Sequence, residues 1–264
     1  LGSGEFTLFP GVPTMFHYLL EATKGNPRTT LGGLRLAVSA GAIMPATLNR
    51  EFEARFGVML LDGYGITETA TMVTMNWPSG GRVLGSCGLP IPGLAVRIVD
   101  AASGKDVPAG SEGELIVRGP NVMIGYHDKP RETAAALRDG WYHTGDLARS
   151  DENGFLTITG RLKELIIRGG QNIAPAEIEE VVSVIDGVVD NAVVGAAHDL
   201  LGVVPALFVV RRADRDVEAE QILKHCRDRL SSYKVPFSVH FVDQIPRTGS
   251  GKIMRFKLRD MLAK

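Results

Sequence analysis

Apolar periodicity changes character twice along this chain, and that limits it to a mixed fold of several parts. Residues 12–23 carry Phe16, Leu19 and Leu20 at helical spacing. Leu34 to Val38 is a short buried run of strand length. Pro45 then opens a second helical stretch at a position where a missing N–H costs nothing. Leu48, Phe52 and Phe56 share one face of it, and Gly57 stands where a left-handed cap belongs. Val58 to Leu61 is the next apolar run. Strand, helix and strand with short links predict a parallel α/β layer.

From about Arg82 the rhythm becomes β-like. Ala95–Val99, Glu114–Val117, Asp146–Arg149 and Phe155–Thr159 follow one another between Gly/Pro-rich turns. Glu152-Asn153-Gly154 reads as a hairpin turn, because Asn and Gly tolerate positive φ. After Gly160 the mixture returns. Ile178, Val181, Val182 and Ile185 form a helical face, and Val188–Val194, Leu207–Val210 and Val239–Val242 read as strands. Ile222, Cys226 and Leu230 mark a further helix, and a basic helix begins near Arg255.

Composition removes several classes. A chain of 264 residues with 44% hydrophobic content and net charge −1 is not a disordered one. Two cysteines, Cys87 and Cys226, cannot frame a disulfide scaffold, and their scarcity points to a reducing, cytoplasmic setting. The longest apolar run, Gly202 to Val210, is about half of the roughly 20 residues that a spanning helix needs, so no transmembrane segment is expected. Leu1 to Phe6 reads as a cloning remnant. Residues 211–264 hold 13 lysines and arginines against 7 acidic residues. Such a tail suits an anionic partner or a solvated surface. Zinc spacing, a continuous basic helix and an aromatic–basic sheet motif are all missing, so no nucleic acid is expected as partner.

Four segments are too polar and glycine-rich for packing alone. Asp62-Gly63-Tyr64-Gly65-Ile66-Thr67-Glu68-Thr69 follows a buried strand, where α/β sheets bind ligands. Its glycines admit close backbone approach, Tyr64 offers a ring, Thr67 a hydroxyl and Glu68 a carboxylate for a hard cation. A plain strand-to-helix turn capped by Thr67 is the alternative. In Gly140 to Leu147, Asp146 begins a predicted strand and can accept vicinal hydroxyls, or can bond its own turn. Gly160 to Ile173 combines basic residues with Gly169-Gly170, as in a hinge followed by a ligand loop, or a linker followed by a hairpin. Pro246 to Ile253 presents Lys252 on a glycine-hydroxyl loop suited to phosphate, without the P-loop spacing.

In this order the segments resemble the adenylate-forming enzymes: acyl-CoA synthetases, firefly luciferase and peptide-synthetase adenylation domains. Tyr64 to Glu68 is similar to the family's Y-G-x-T-E motif, and Gly113-Glu114-Leu115 through Gly119-Pro120 and Gly125-Tyr126 to its G-E-L…G-P…G-Y segment. Tyr142 to Asp146 resembles Y-x-T-G-D, Arg161 to Glu179 the G-R-x-K-E…G-G-x-N-I-x-P-x-E-I-E segment, and Pro246 to Lys252 P-x-T-x-S-G-K. The resemblance runs from about Thr7 to the C-terminus.

The resemblance implies an acyl-CoA ligase of the AMP-forming, acid–thiol type, for a fatty, aryl or alicyclic acid, with a place in fatty acid metabolism. A carboxylate would attack the α-phosphate of ATP to form an acyl-adenylate, with Mg²⁺ present, and coenzyme A would then take the acyl group. By position, Tyr64 would stack on adenine, with Asp62, Gly63 and Gly65 around the nucleotide and Ser39-Ala40-Gly41-Ala42 edging the adenine and acyl pocket. Thr67 would touch the α-phosphate, Glu68 would hold Mg²⁺, and Asp146 and Arg161 would bind the ribose. Lys252 would stabilise transition-state charge. Lys163 would be the hinge, and Gly169 and Gly170 would line the coenzyme A tunnel.

One family feature is missing: the T-S-G-T-T-G-x-P-K-G phosphate loop and everything before it. The expectation is therefore an α/β chain forming a C-terminal half. Residues 7–81 would be a remnant of a parallel-sheet α/β subdomain, 82–160 an antiparallel β subdomain and 161–264 a small mobile α+β domain. The half alone is expected to be inactive, and an exposed sheet edge favours a homo-oligomer. Two alternatives stand beside this reading: an adenylation domain or acyl-AMP ligase that loads a carrier protein, and a non-catalytic nucleotide-binding fragment.

Overall fold

The computed structural model describes residues 2–26, 29–249 and 251–262. The chain divides into two compact units, residues 1–159 and 160–264.

The first unit opens with β1 (Leu8–Gly11), α1 (Pro13–Thr23), β2 (Leu36–Ser39), α2 (Ala46–Phe56) and β3 (Met59–Tyr64). The three strands pair in parallel in the order β1–β2–β3. Pro13 begins α1 where its missing N–H is harmless, and Gly57 ends α2 at φ 65°, as its position predicts. Pro45 caps α2 from just outside instead of starting it. Phe16 of α1 and Phe52 of α2 meet edge to face at 5.2 Å over fully buried Leu60. Two short antiparallel strands, β4 (Thr74–Met75) and β5 (Leu89–Pro90), extend this sheet beyond β3.

A second sheet contains β6 (Ala95–Val99), β7 (Gly113–Arg118), β8 (Leu137–Arg138), β9 (Trp141–Ser150) and β10 (Leu156–Arg161), with α3 (Pro130–Ala136) before β8. Its order is β10–β9–β7–β6, with β8 beside β9. The turn before β10 uses Gly154 at φ 85°, and the Asp151 carboxylate accepts the N–H groups of Asn153 and Phe155. Ile98, Leu115, Val117, Ala148 and Leu156 close the core with Val73 and Cys87.

The second unit contains β11 (Ile166–Arg168), β12 (Gln171–Ile173), α4 (Pro175–Ser183), β13 (Val188–His198), β14 (Gly202–Arg211), α5 (Ala219–Arg227), β15 (Ser238–Phe241) and α6 (Arg255–Leu262). The sheet order is β12–β11–β14–β13, with β15 parallel to β14. Both of its faces are covered. Val193, Leu207 and Val209 pack with Ile178, Val182 and Ile222, while Ala192, Val194, Ala206 and Phe208 pack with Leu258. Double burial explains the unbroken apolar run in β14. Pro205 sits where β14 changes neighbours, after its pairing with β11 at Gly202 and before its register with β15 opens at Ala206. The architecture is the α/β mixture of parallel, antiparallel and α+β parts that the periodicity predicts.

No helix among the described residues is long and apolar enough to cross a membrane.

Candidate active site

The sheet contradicts one sequence expectation at the outset. Asp62, Gly63 and Tyr64 are not loop residues; they are the last three residues of β3. The loop starts at Gly65, and its geometry explains the glycine. A Cβ there would fall 1.4 Å from the carbonyl oxygen of Thr71. The chain then makes one 3-10 turn, Thr67–Thr69, with no side-chain cap from Thr67. Ala70 and Thr71 follow at φ 48° and 88°. Left-handed backbone is uncommon at a β-branched residue, so this return is strained and held from outside. Asn121 supplies the hold, donating to Thr69 O at 2.8 Å and Met72 O at 2.9 Å.

On this frame Thr67 is exposed and Glu68 is half-buried. The Tyr126 hydroxyl donates to Glu68 Oε1 at 2.9 Å, and the Met123 N–H donates to Glu68 O at 2.8 Å. Burial, followed by its hydrogen bonding with Tyr126 and the nearby Glu68 charge, pushes the Tyr142 hydroxyl far up. Burial also raises Tyr126. Both phenols therefore stay protonated, and the Glu68 carboxylate faces a donor. Tyr126 closes the G-E-L…G-P…G-Y segment, and local sequence gives no sign of its role because its partner is 58 residues away.

Asp146 is the second departure. It does not begin a strand but sits inside ten-residue β9, 3% exposed. The Tyr64 hydroxyl donates to Asp146 Oδ2 at 2.5 Å. Two of the glycine-rich segments thus meet through their most distinctive side chains. Beside them, Glu114 is 4% exposed and accepts the Gly145 N–H at 3.1 Å, with His143 Nδ1 at 2.9 Å from its other oxygen.

Asp62 is enclosed in β3, and among the described residues its Oδ1 has no hydrogen-bond partner. Burial holds its carboxyl well above the ordinary carboxylate value. It is opposite Ser39 in the β2–β3 register, and the Ser39 hydroxyl is likewise buried and unpaired. Gly63 packs against Met75, where a Cβ would meet the sulfur at 3.0 Å. Gly41, at φ 85°, and Ala42 are exposed in the bend after β2.

The second unit holds the remaining expected residues. Arg161 ends β10, and exposed Lys163 lies in a 3-10 turn, Leu162–Glu164. Gly169 and Gly170 are the tight turn of the β11–β12 hairpin, at φ 55° and 85°. A Cβ at either would meet nothing within 4 Å, so backbone conformation is what demands glycine. Lys252 is exposed on a small hairpin. Thr248 N donates to Lys252 O at 2.8 Å, and Lys252 N donates to Thr248 Oγ1 at 3.1 Å. Arg247 anchors the hairpin: it forks onto the Asp190 carboxylate of β13 and donates to Gly251 O at 2.8 Å. Ser250 of the same motif lies outside the described residues.

Two family profiles match in chain order, AMP-binding enzyme over residues 3–127 and AMP-binding enzyme C-terminal domain over residues 177–252. The chain belongs to the AMP-binding enzyme family. This family member is 42% identical to a long-chain-fatty-acid–CoA ligase of Yersinia pestis, over 97% of its own length and 45% of the relative. It superposes on ATP-bound MatB from Rhodopseudomonas palustris with TM-score 0.91 and 38% identity, covering 97% of this chain and 51% of that one. For an anthranilate CoA ligase, AuaEII, in complex with anthranoyl-AMP, the TM-score is 0.89 at 30% identity, covering 99% and 51%. This AMP-binding enzyme chain spans about half the length of the curated relatives it matches.

Proposed function

We propose that the protein containing this chain activates a carboxylic acid with ATP, releasing pyrophosphate, and passes the acyl group from the adenylate to coenzyme A. The observation that carries this reading is the hydrogen bond from Tyr64 to Asp146, which joins the Y-G-x-T-E and Y-x-T-G-D segments at one place. A poor acyl donor becomes a good one once its oxygen leaves as AMP, which is why such a reaction spends ATP.

In this reading Tyr64 presents its ring to adenine, with Gly63, Gly65, Gly41 and Ala42 as close backbone. Asp146 and Arg161 take the ribose hydroxyls, and Thr67 takes the α-phosphate. Glu68 suits Mg²⁺: Tyr126 occupies one carboxylate oxygen and leaves the other for the cation. Among the described residues no cluster of three or more metal-ligating side chains exists. A lone carboxylate fits a cation whose shell is completed by water and substrate phosphates. When bound, Mg²⁺ supplies charge neutralisation on those phosphates.

Lys252, exposed and mounted on an anchored hairpin, provides positive charge for the adenylation step. Lys163 is the hinge position, and Gly169-Gly170 serves the thiol step. Two free, buried cysteines fit a reducing, cytoplasmic setting. The acid is of fatty or aryl class, in keeping with the relatives' names.

The test is acid-dependent ATP–pyrophosphate exchange by the whole protein, followed by thioester formation. Lys252→Ala should depress exchange far more than thioester formation from a supplied acyl-adenylate. Equal loss in both half-reactions contradicts the role given to Lys252. Exchange without any coenzyme A thioester supports a carrier-loading enzyme instead.

A further inference from the structure

The Glu114 carboxylate is almost fully enclosed, and an enclosed carboxylate is costly unless donors and charge answer it. An apolar residue would pack this enclosed position near the start of β7 more cheaply, so a local reason for Glu114 is required. The reason lies across the ladder. Glu114 is opposite Leu147 and Ile116 is opposite His143, with a register shift between them. Thr144, Gly145 and Asp146 therefore face the single residue Leu115, a bulge in β9.

The Thr144 hydroxyl and the Gly145 and Asp146 N–H groups of that bulge are answered from within the strand pair. Glu114 Oε1 accepts the Gly145 N–H at 3.1 Å, and Glu114 Oε2 is 2.9 Å from His143 Nδ1. The Thr144 hydroxyl donates to Leu115 O at 2.7 Å and accepts the Asp146 N–H at 3.0 Å. The guanidinium of Arg138 lies 4.0 Å from the Glu114 carboxylate and adds charge compensation. Gly145 takes φ 69°, a turn of backbone that an L side chain resists. A bulge re-aims the side chains it carries, and the last of them here is Asp146.

We infer that Glu114 is a positioning residue for nucleotide binding: by holding the Gly145 N–H and His143 it shapes the bulge that aims Asp146 at the ribose hydroxyls. This rests on the ribose role proposed for Asp146. A side chain that merely joined two strands would affect all ligands alike. A positioning role acts only on ligands that carry the hydroxyls.

The experiment compares dissociation constants for ATP and 2′,3′-dideoxy-ATP, by calorimetry in magnesium buffer, on the whole protein. The unmodified chain should prefer ATP, and Asp146→Asn should cut that preference about tenfold, the size expected of a hydrogen bond to a charged group. Glu114→Ala should cut it by a similar factor while leaving dideoxy-ATP within about twofold of its original affinity, on the same scale. Glu114→Gln keeps an oxygen for the Gly145 N–H and should retain most of the preference. If Glu114→Ala does not fold, Gly145→Ala strains the same bulge without deleting a buried group, and should lose the preference too.

Equal weakening of both nucleotides in Glu114→Ala, or full preference in Gly145→Ala, overturns the inference while a selective Asp146→Asn leaves the ribose reading standing. No binding of either nucleotide, no ribose preference in the unmodified chain, or a non-selective Asp146→Asn overturns the ribose reading and the inference together.

Discussion

The Tyr64 hydroxyl reaches across 82 residues of sequence to donate to Asp146 Oδ2 at 2.5 Å. It ties the end of a parallel strand to the middle of an antiparallel one. Tyr64→Phe keeps the ring and removes one donor from a buried carboxylate. The expected cost is about 1–3 kcal/mol. Urea unfolding of the two proteins measures it, and an unchanged midpoint would show that the bond contributes nothing.

Asp62 predicts a pH effect. An unfolded carboxylate of this kind titrates near 3.8, whereas burial raises the folded one well above that. Above the unfolded value the native state binds more protons than the unfolded chain, so stability falls as pH rises through the folded value. Asp62→Asn has no proton to lose. Its Tm advantage over the parent should widen from pH 5 towards pH 8. A difference that stays flat across that range contradicts the assignment.

At Gly65 the obstacle is backbone, the Thr71 carbonyl, which cannot swing away as a side chain can. Gly65→Ala should open the turn that follows. Hydrogen exchange should speed up at the Thr69, Ala70 and Thr71 amides, which donate to Ile66 O, Thr67 O and Ile66 O. Exchange within α2 should not change. Protection retained at all three amides would be the contrary result.

Arg255 holds the second unit together from the start of α6. It donates to Glu164 at 2.9 Å and to Val193 O at 2.8 Å, and it pairs with Glu179. The flanking carboxylates hold its guanidinium firmly charged against a strong opposing burial effect. Glu179 also accepts the Val193 N–H at 2.7 Å. Arg255→Met leaves both carboxylates without their cation and should cost about 3 kcal/mol. Calorimetry should show this loss in residues 160–264 with the other unit unaffected, and a uniform shift of both units would argue against it.

Much of the fold was legible because its signals are local. Ala95–Val99 and the glycine cap at Gly57 were readable from neighbours alone. So was the general run of strands and helices. Boundaries failed where polar residues continue a strand. Asp62 and Gly63 look like loop residues, yet β3 absorbs them because β2 and β4 pair with them. Tyr142 and His143 precede the expected strand start at Asp146, yet β7 already pairs with them. Gly169 and Gly170 interrupt any strand signal, yet pairing of Ile166 with Ile173 makes them the turn of a hairpin.

By itself, the sequence determined the order of elements, the glycines that positive φ demands, and the motifs that place the chain among AMP-binding enzymes. Those depend on residue type and on spacing of a few positions. Tertiary structure alone decided which polar groups meet: Tyr64 with Asp146, Tyr126 with Glu68, Glu114 with the Gly145 bulge and Arg247 with Asp190. Such pairs join residues tens of positions apart, and no local pattern encodes them. They form because strand register and burial bring charges and donors into one low-dielectric place, where an unanswered polar group is costly.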